Sequence, residues 1–191
     1  MAGKQAKVLS DTDVSDLLAF TRRSRNPTRN EVMVLLSAKA GLRAGEIAKL
    51  TWDMLLDSRG RVDFALELRD KAAKKGSGRI VPVHADLRRA LIAWRKISNE
   101  PGPVVRSERG GPMTALSIVV WFNRAFRTIG LKGCSSHSGR RTFITRAARL
   151  VHKAGGSLRD VQLLAGHRSI QTTQRYIEGD TDVQRKLVSM I

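Results

Sequence analysis

The one tyrosine in 191 residues, Tyr176, stands nine positions after a histidine in the run Leu164-Ala165-Gly166-His167-Arg168-Ser169-Ile170-Gln171-Thr172-Thr173-Gln174-Arg175-Tyr176. A phenol can attack, and an imidazole can exchange a proton or donate a hydrogen bond, so the pair could act on one phosphate or acyl centre. The spacing places them in two short elements. Leu158, Val161, Leu163, Leu164 and Ala165 read as an amphipathic helix closed by Gly166. Ser169 suits an N-cap, and a helix from Ile170 would carry Tyr176 nearly two turns on, close to Ile170 and Thr173. His167 falls in the connection. Taken alone, the pair reads equally well as a core tyrosine beside a surface histidine.

Three further strings precede it: Ala40-Gly41-Leu42-Arg43-Ala44-Gly45-Glu46-Ile47, Lys74-Lys75-Gly76-Ser77-Gly78-Arg79-Ile80-Val81-Pro82 and His137-Ser138-Gly139-Arg140. In this order, ahead of Gly166-His167 and Tyr176, they resemble the catalytic domain of the tyrosine recombinases, the phage integrase family. The family pattern is an arginine after Gly-Leu, a lysine in a β-hairpin, His-x-x-Arg, a histidine or tryptophan, and then the tyrosine. All six positions are filled, by Arg43, Lys74, His137, Arg140, His167 and Tyr176. Lys74 follows from counting back from Arg79-Ile80-Val81-Pro82, with Lys75 one step off. Gly139 departs from the leucine common at its place in the family, and Arg141 from a frequent histidine, which touches local packing more than chemistry.

The resemblance implies an α+β fold, mainly α-helical with a small antiparallel β-sheet. It implies metal-independent cleavage and rejoining of DNA through a 3′-phosphotyrosyl link, the reaction of site-specific integration, excision or inversion. In that scheme Tyr176 attacks the phosphate and His137 takes its proton. Arg43 and Arg140 clamp the non-bridging oxygens through planar forks of donors, and His167 adds a hydrogen bond to the same group. Lys74 protonates the leaving 5′ oxygen. No cofactor is expected: there is no Walker loop, no clustered carboxylates and no Cys/His metal spacing. The expected partner is double-stranded DNA, with self-association toward a tetramer in the synaptic complex and an accessory DNA-bending protein as a further candidate. Two rival classes share much of this pattern. A non-catalytic DNA-binding relative would show gaps among the six positions, and none is present. A type IB topoisomerase-like enzyme would relax supercoils by the same chemistry.

Composition fits a polyanionic partner without naming one. Thirty-five Lys and Arg against seventeen Asp and Glu give a formal charge of +18, which favours nucleic acid but equally suits a ribosomal protein or a regulator. At 191 residues and 41% hydrophobic content the chain can bury one core. The single cysteine, Cys134, excludes an internal disulfide and reads as a small packing residue in a reducing compartment. With no apolar run of membrane length and no signal-peptide core, a cytoplasmic, nucleoid-associated location is expected. Residues 1–9 read as a flexible basic lead and 10–191 as the catalytic domain, without the helical DNA-gripping domain that precedes it in most of the family.

The remaining elements must position these groups. Ser10 to Asp13 opens a helix to about Arg23 with Val14, Leu17, Leu18 and Phe20 inward. Pro27 opens a second, with Val32, Leu35, Leu36 and Ala40 as its apolar face, ended by Gly41. Arg43 then lies at a junction before a short helix from Ala44 to Leu50, where it could pair with Glu46. Val62, Phe64, Leu66 and Leu68 alternate as a half-buried strand, and Arg79 to Val83 supplies its partner across a basic loop from Asp70 to Gly78. Asp86 to Ile97 is an amphipathic helix, and Asn99 to Pro112 a long connection. Thr114 caps a helix to about Ile129 with Ile118, Trp121, Phe122, Ala125 and Phe126 inward. Another helix starts near His137 and Arg140, where exposed N–H groups favour an anion. Val183, Leu187, Val188 and Ile191 place a last helix over Thr181 to Ile191.

Overall fold

The computed structural model describes residues 6–73, 76, 78–98, 101–177, 185 and 188–191. Within them the chain forms α1 (Asp11–Arg22), α2 (Pro27–Lys39), α3 (Ala44–Lys49), a 3-10 turn at Trp52–Met54, β1 (Ala65–Leu68) and β2 (Arg79–Pro82). There follow α4 (Ala85–Ser98), α5 (Ala115–Thr128), α6 (Ser138–Leu150), a 3-10 turn at Val151–Ala154, α7 (Leu158–Ala165) and α8 (Ile170–Gln174). The fold is thus mainly helical with one two-stranded antiparallel sheet. Local chemistry sets the helix starts. Ser10 and Asp13 cap each other's backbone N–H groups, Thr114 Oγ1 accepts from Ser117 N, and Pro27 occupies the first turn of α2.

Helix α2 is the centre of the domain. The periodicity assigned it one apolar face, yet Val32 through Ala38 are all buried, because α1, α4 and α6 pack around it. A helix surrounded in this way has no solvent face to keep polar. Where α6 crosses it, Gly139 lies so close that an added Cβ would stand 2.3 Å from Ser37 Oγ and 3.2 Å from the Ser37 carbonyl carbon. The departure from leucine at this place is therefore a packing requirement of this crossing.

The sheet pairs Leu66 with Val81 and Leu68 with Arg79 on its inner face, and Glu67 with Ile80 outside. The alternation read from Val62 breaks at Phe64, which is 72% exposed. Asp63 turns the backbone by accepting the Phe64 N–H, β1 starts only at Ala65, and the Arg88 guanidinium covers the Phe64 ring at 4.1 Å. The segment read as a plain connection before Thr114 is better anchored than that: Val104 and Val105 are fully buried, and Val104 O accepts from Trp94 Nε1. Of the expected lead, Leu9 is buried and its N–H donates to Thr142 Oγ1 on α6. The helix expected over Thr181 to Ile191 falls largely outside the described residues. No helix among the described residues is long and apolar enough to cross a membrane.

A second, smaller cluster lies beside the main core. Ile144, Ala148, Val151, Val161 and Ala165 form it, and Phe143, Leu158 and Tyr176 pack on it. Helix α6 joins the two clusters, since its other side faces α2.

The α6–α2 crossing is testable. Gly139→Leu should destabilise the protein by about 1–3 kcal/mol, the usual range for overpacking a tight contact, read as a lower midpoint in urea unfolding. An unchanged midpoint would mean that α6 can move off Ser37 freely.

Candidate active site

The site starts where α2 ends. Gly41 adopts a φ of +65°, and a Cβ there would lie 2.4 Å from the Phe143 ring, so only glycine fits. The turn places Arg43 just ahead of α3. Glu46, three residues on, reaches back to accept the Arg43 N–H at 2.9 Å and the Arg43 guanidinium at 2.7 Å. From the opposite side Arg79 donates to both carboxylate oxygens, at 3.2 and 3.1 Å. Glu46 and the Arg79 side chain are 1% and 5% exposed. Burial alone would push the Glu46 carboxyl up; the hydrogen bonds and charges of Arg79 and Arg43 outweigh it and hold it at about 2.

Arg79 reaches Glu46 because the β-ladder turns it inward beside Leu68. Its Nε also donates to Leu164 O at 2.9 Å, and its side chain lies against Gly166. Gly166 has a φ of +61° and closes α7 in the left-handed cap expected of it. One guanidinium therefore joins the β-hairpin, α3 and the turn that carries His167.

Arg140, on the first turn of α6, is 3% exposed. It donates to Gly41 O at 2.5 Å, to Ala165 O at 2.6 Å and to His167 Nε2 at 3.1 Å. Burial, followed by the charge of Arg43, lowers its pKa to about 10, so it stays cationic at neutral pH. His167 is buried rather than superficial, at 9% exposure. Gln162 holds its backbone from both ends, accepting the His167 N–H at 3.1 Å and donating its side-chain amide to His167 O at 2.9 Å. Its ring Nδ1 lies 2.9 Å from Thr173 Oγ1. Burial, then the charges of Arg140, Arg43 and Arg79, depress its pKa to about 4, which keeps the ring neutral at pH 7.

Tyr176 does not ride on α8 as the periodicity suggested. The helix stops at Gln174, and Tyr176 follows in a tightened turn, its N–H donating to Thr173 O at 3.0 Å. Phenol and imidazole nonetheless meet: the rings stack with centroids 5.5 Å apart and planes 23° from parallel. His137 precedes α6 as an exposed residue, its N–H bonded to Ser135 Oγ. Arg43, His137, Arg140, His167 and Tyr176 line a single cleft of about 500 Å³, with Arg141 and Arg175 on its walls. Lys74 and Lys75 lie outside the described residues. Ala72 and Ala73, just before them, are buried and line an adjoining cavity of about 310 Å³ with Arg43, Glu46 and His137. Among the described residues no group of three or more His, Cys, Asp or Glu is placed to hold a metal ion. The cleft brings an unmodified phenol, guanidinium forks and two imidazoles to one place, a set that can bind a phosphodiester and attack it.

Residues 7–182 match the model of the phage integrase family. The chain belongs to that family. Tyrosine recombinase XerC of Brucella suis biovar 1 (strain 1330) is 30% identical over 158 residues, which cover 80% of this chain and 47% of that protein. The chain spans about half the length of the curated relatives it matches. In fold it is similar to the crystal structure of XerA recombinase, with a TM-score of 0.76 at 22% identity over 96% of this chain and 64% of that one. It is similar as well to the Tn1549 transposon integrase in complex with transposon right end DNA, with a TM-score of 0.74 at 21% identity over 100% of this chain and 67% of that one.

Sequence reasoning reached Glu46 only as a partner for Arg43 and used Arg79 only as a counting landmark. A signal was present. In Arg79-Ile80-Val81 the period of two puts an arginine on the same face as an inward valine, and a buried cation demands an acid. Thr173, the buried partner of His167, carried no comparable signal.

The folded pKa of Glu46 lies below its ordinary value of 4.5, so its ionised form stabilises the fold fully above about pH 4.5. That contribution, on the order of 3 kcal/mol, fades as pH falls toward 2. Glu46→Gln should lose about 3 kcal/mol at pH 7, since Arg79 is left buried without its acid, and should lose less than the wild type between pH 5 and pH 3. Urea unfolding at the three pH values checks this; parallel acid limbs would contradict it.

Proposed function

We propose that this chain cleaves and rejoins DNA at specific sites through a 3′-phosphotyrosyl intermediate, as the catalytic part of a site-specific tyrosine recombinase. The observation that carries this reading is the convergence of Arg43, His137, Arg140, His167 and Tyr176 on one cleft. The Tyr176 oxygen attacks phosphorus as His137 takes the phenol proton. The bond from phosphorus to the 5′ oxygen breaks, and Lys74 supplies the proton that this oxygen needs. Arg43 and Arg140 stabilise the charge on the non-bridging oxygens, and His167 donates to one of them. The 5′ hydroxyl of a partner strand then attacks the phosphotyrosine in reverse.

Several features support the reading. Among the described residues the hydrogen bonds of Arg140 go to neutral acceptors, which favours its forming an ion pair with an anion. Ala72 and Ala73 sit beside Arg43 and His137, which favours delivery of the next residue, Lys74, to the same phosphate. The charge of +18 suits duplex DNA, and the similarly folded Tn1549 integrase is described in complex with DNA. Strand exchange requires two cleaved duplexes, so the working assembly is a tetramer on paired sites, in the cytoplasm on the nucleoid. An accessory DNA-bending protein would offset the energy of bending the sites together.

On a nicked suicide substrate carrying a cognate site, the wild type should form a covalent complex that survives a denaturing gel. Tyr176→Phe should bind the same DNA and form none. A covalent band persisting in the Phe variant would sink the assignment.

The role of Lys74 is separable from that of Lys75. Replacing the leaving 5′ oxygen by sulfur removes the need for an acid. Lys74→Ala should cleave normal DNA slowly and the 5′-thio substrate at nearly the wild-type rate, while Lys75→Ala stays close to normal on both. Rescue of Lys75→Ala instead would move the role one residue along.

A further inference from the structure

The hydrogen bonds of His167 fix which of its nitrogens carries the proton. A guanidinium can only donate, so Nε2, 3.1 Å from Arg140, must accept. The ring is neutral, so its one proton is on Nδ1 and is donated to Thr173 Oγ1 at 2.9 Å. Turning the ring over would set carbon atoms against both partners, which rules out the alternative orientation. In this DNA-free state His167 cannot donate to a phosphate from Nε2, the nitrogen that faces Arg140. To do so it must change tautomer, and its Nδ1 partner must then donate where it had accepted. Thr173 can do this, because a hydroxyl both donates and accepts. It is also fully buried, so water does not replace it.

We propose that Thr173 is a positioning residue that lets His167 switch tautomer: its hydroxyl accepts from Nδ1–H in the free enzyme and donates to bare Nδ1 once Nε2–H points at the scissile phosphate. On DNA binding, Arg140 turns donors from His167 Nε2 to the phosphate. The exchange passes through water of the cleft that His167 lines: the ring swings off Thr173, Nε2 takes a proton from water and Nδ1 returns one to water, so the ring is neutral before and after. Valine at 173 keeps the shape but strands Nδ1 in either tautomer. This inference rests on His167 acting on the phosphate, as proposed above.

A tryptophan at 167 needs no such partner, since an indole has one N–H and no tautomer to choose. Single-turnover cleavage of a nicked duplex should therefore slow roughly ten- to hundredfold in Thr173→Val, as when a buried polar group loses its partner, and remain near normal in Thr173→Ser. In the His167→Trp background the same Thr173→Val change should have little effect. An equal loss in both backgrounds would make Thr173 a structural residue only, and no loss in the histidine background would also overturn the inference. Long-range ¹H–¹⁵N spectra give a second, independent readout. They should show the Nδ1–H form of His167 in the free protein and the Nε2–H form in Tyr176→Phe bound to an intact site. The same tautomer in both states would overturn it. If His167→Ala cleaves at the wild-type rate, the underlying role of His167 fails, and this inference with it.

Discussion

The carboxylate of Glu46 is the interaction on which the site's architecture depends. A buried acid is tolerated only when its charge is met, and here two guanidiniums meet it from elements far apart in the chain. Arg43 comes from the junction after α2 and Arg79 from β2. Because Arg79 also bonds Leu164 O and lies against Gly166, the β-hairpin, the start of α3 and the turn before His167 are held in one rigid relation. Loss of the acid would leave Arg79 buried without a counter-charge, so these elements stand or fall together.

Arg140 is handled differently. Among the described residues its hydrogen bonds go to two backbone carbonyls and an imidazole nitrogen, all neutral, so the group is aimed without a direct acid partner. Preorganised donors of this kind stabilise developing charge without reorganising at the moment of reaction. The same arrangement sets the state of His167. Buried beside three arginines, its ring stays neutral, and the donor-only chemistry of Arg140 decides where its proton sits. The electrostatics of the cleft thus follow from which positive charges are paired with an acid and which are held by neutral acceptors.

Tyr176 belongs to a different packing unit. It rests on the small cluster built by α6 and α7, while Arg43 grows from the end of the central helix α2. The two meet because α6, which helps build the small cluster, packs against α2, and their close crossing at Gly139 sets the spacing. Tyr176 itself lies in a turn past a five-residue helix, so shifting it disturbs little of the main core.

By itself the sequence determined the element order, the helix starts and the family pattern. Capping residues, glycines past helix ends and apolar periodicity are local signals, and the six spaced residues carry the family pattern wherever they fall in space. Tertiary structure decided the rest. The burial of α2 on all sides depends on three neighbouring helices, and the exposure of Phe64 on a backbone turn at Asp63 that alternation does not encode. The inward aim of Arg79 needed the strand register. The tautomer of His167 needed Arg140, 27 residues away in sequence, and Thr173 on a separate helix. Spacing along a chain names the groups that could do chemistry; their charge and proton positions follow from contacts between segments, which only the folded structure brings together.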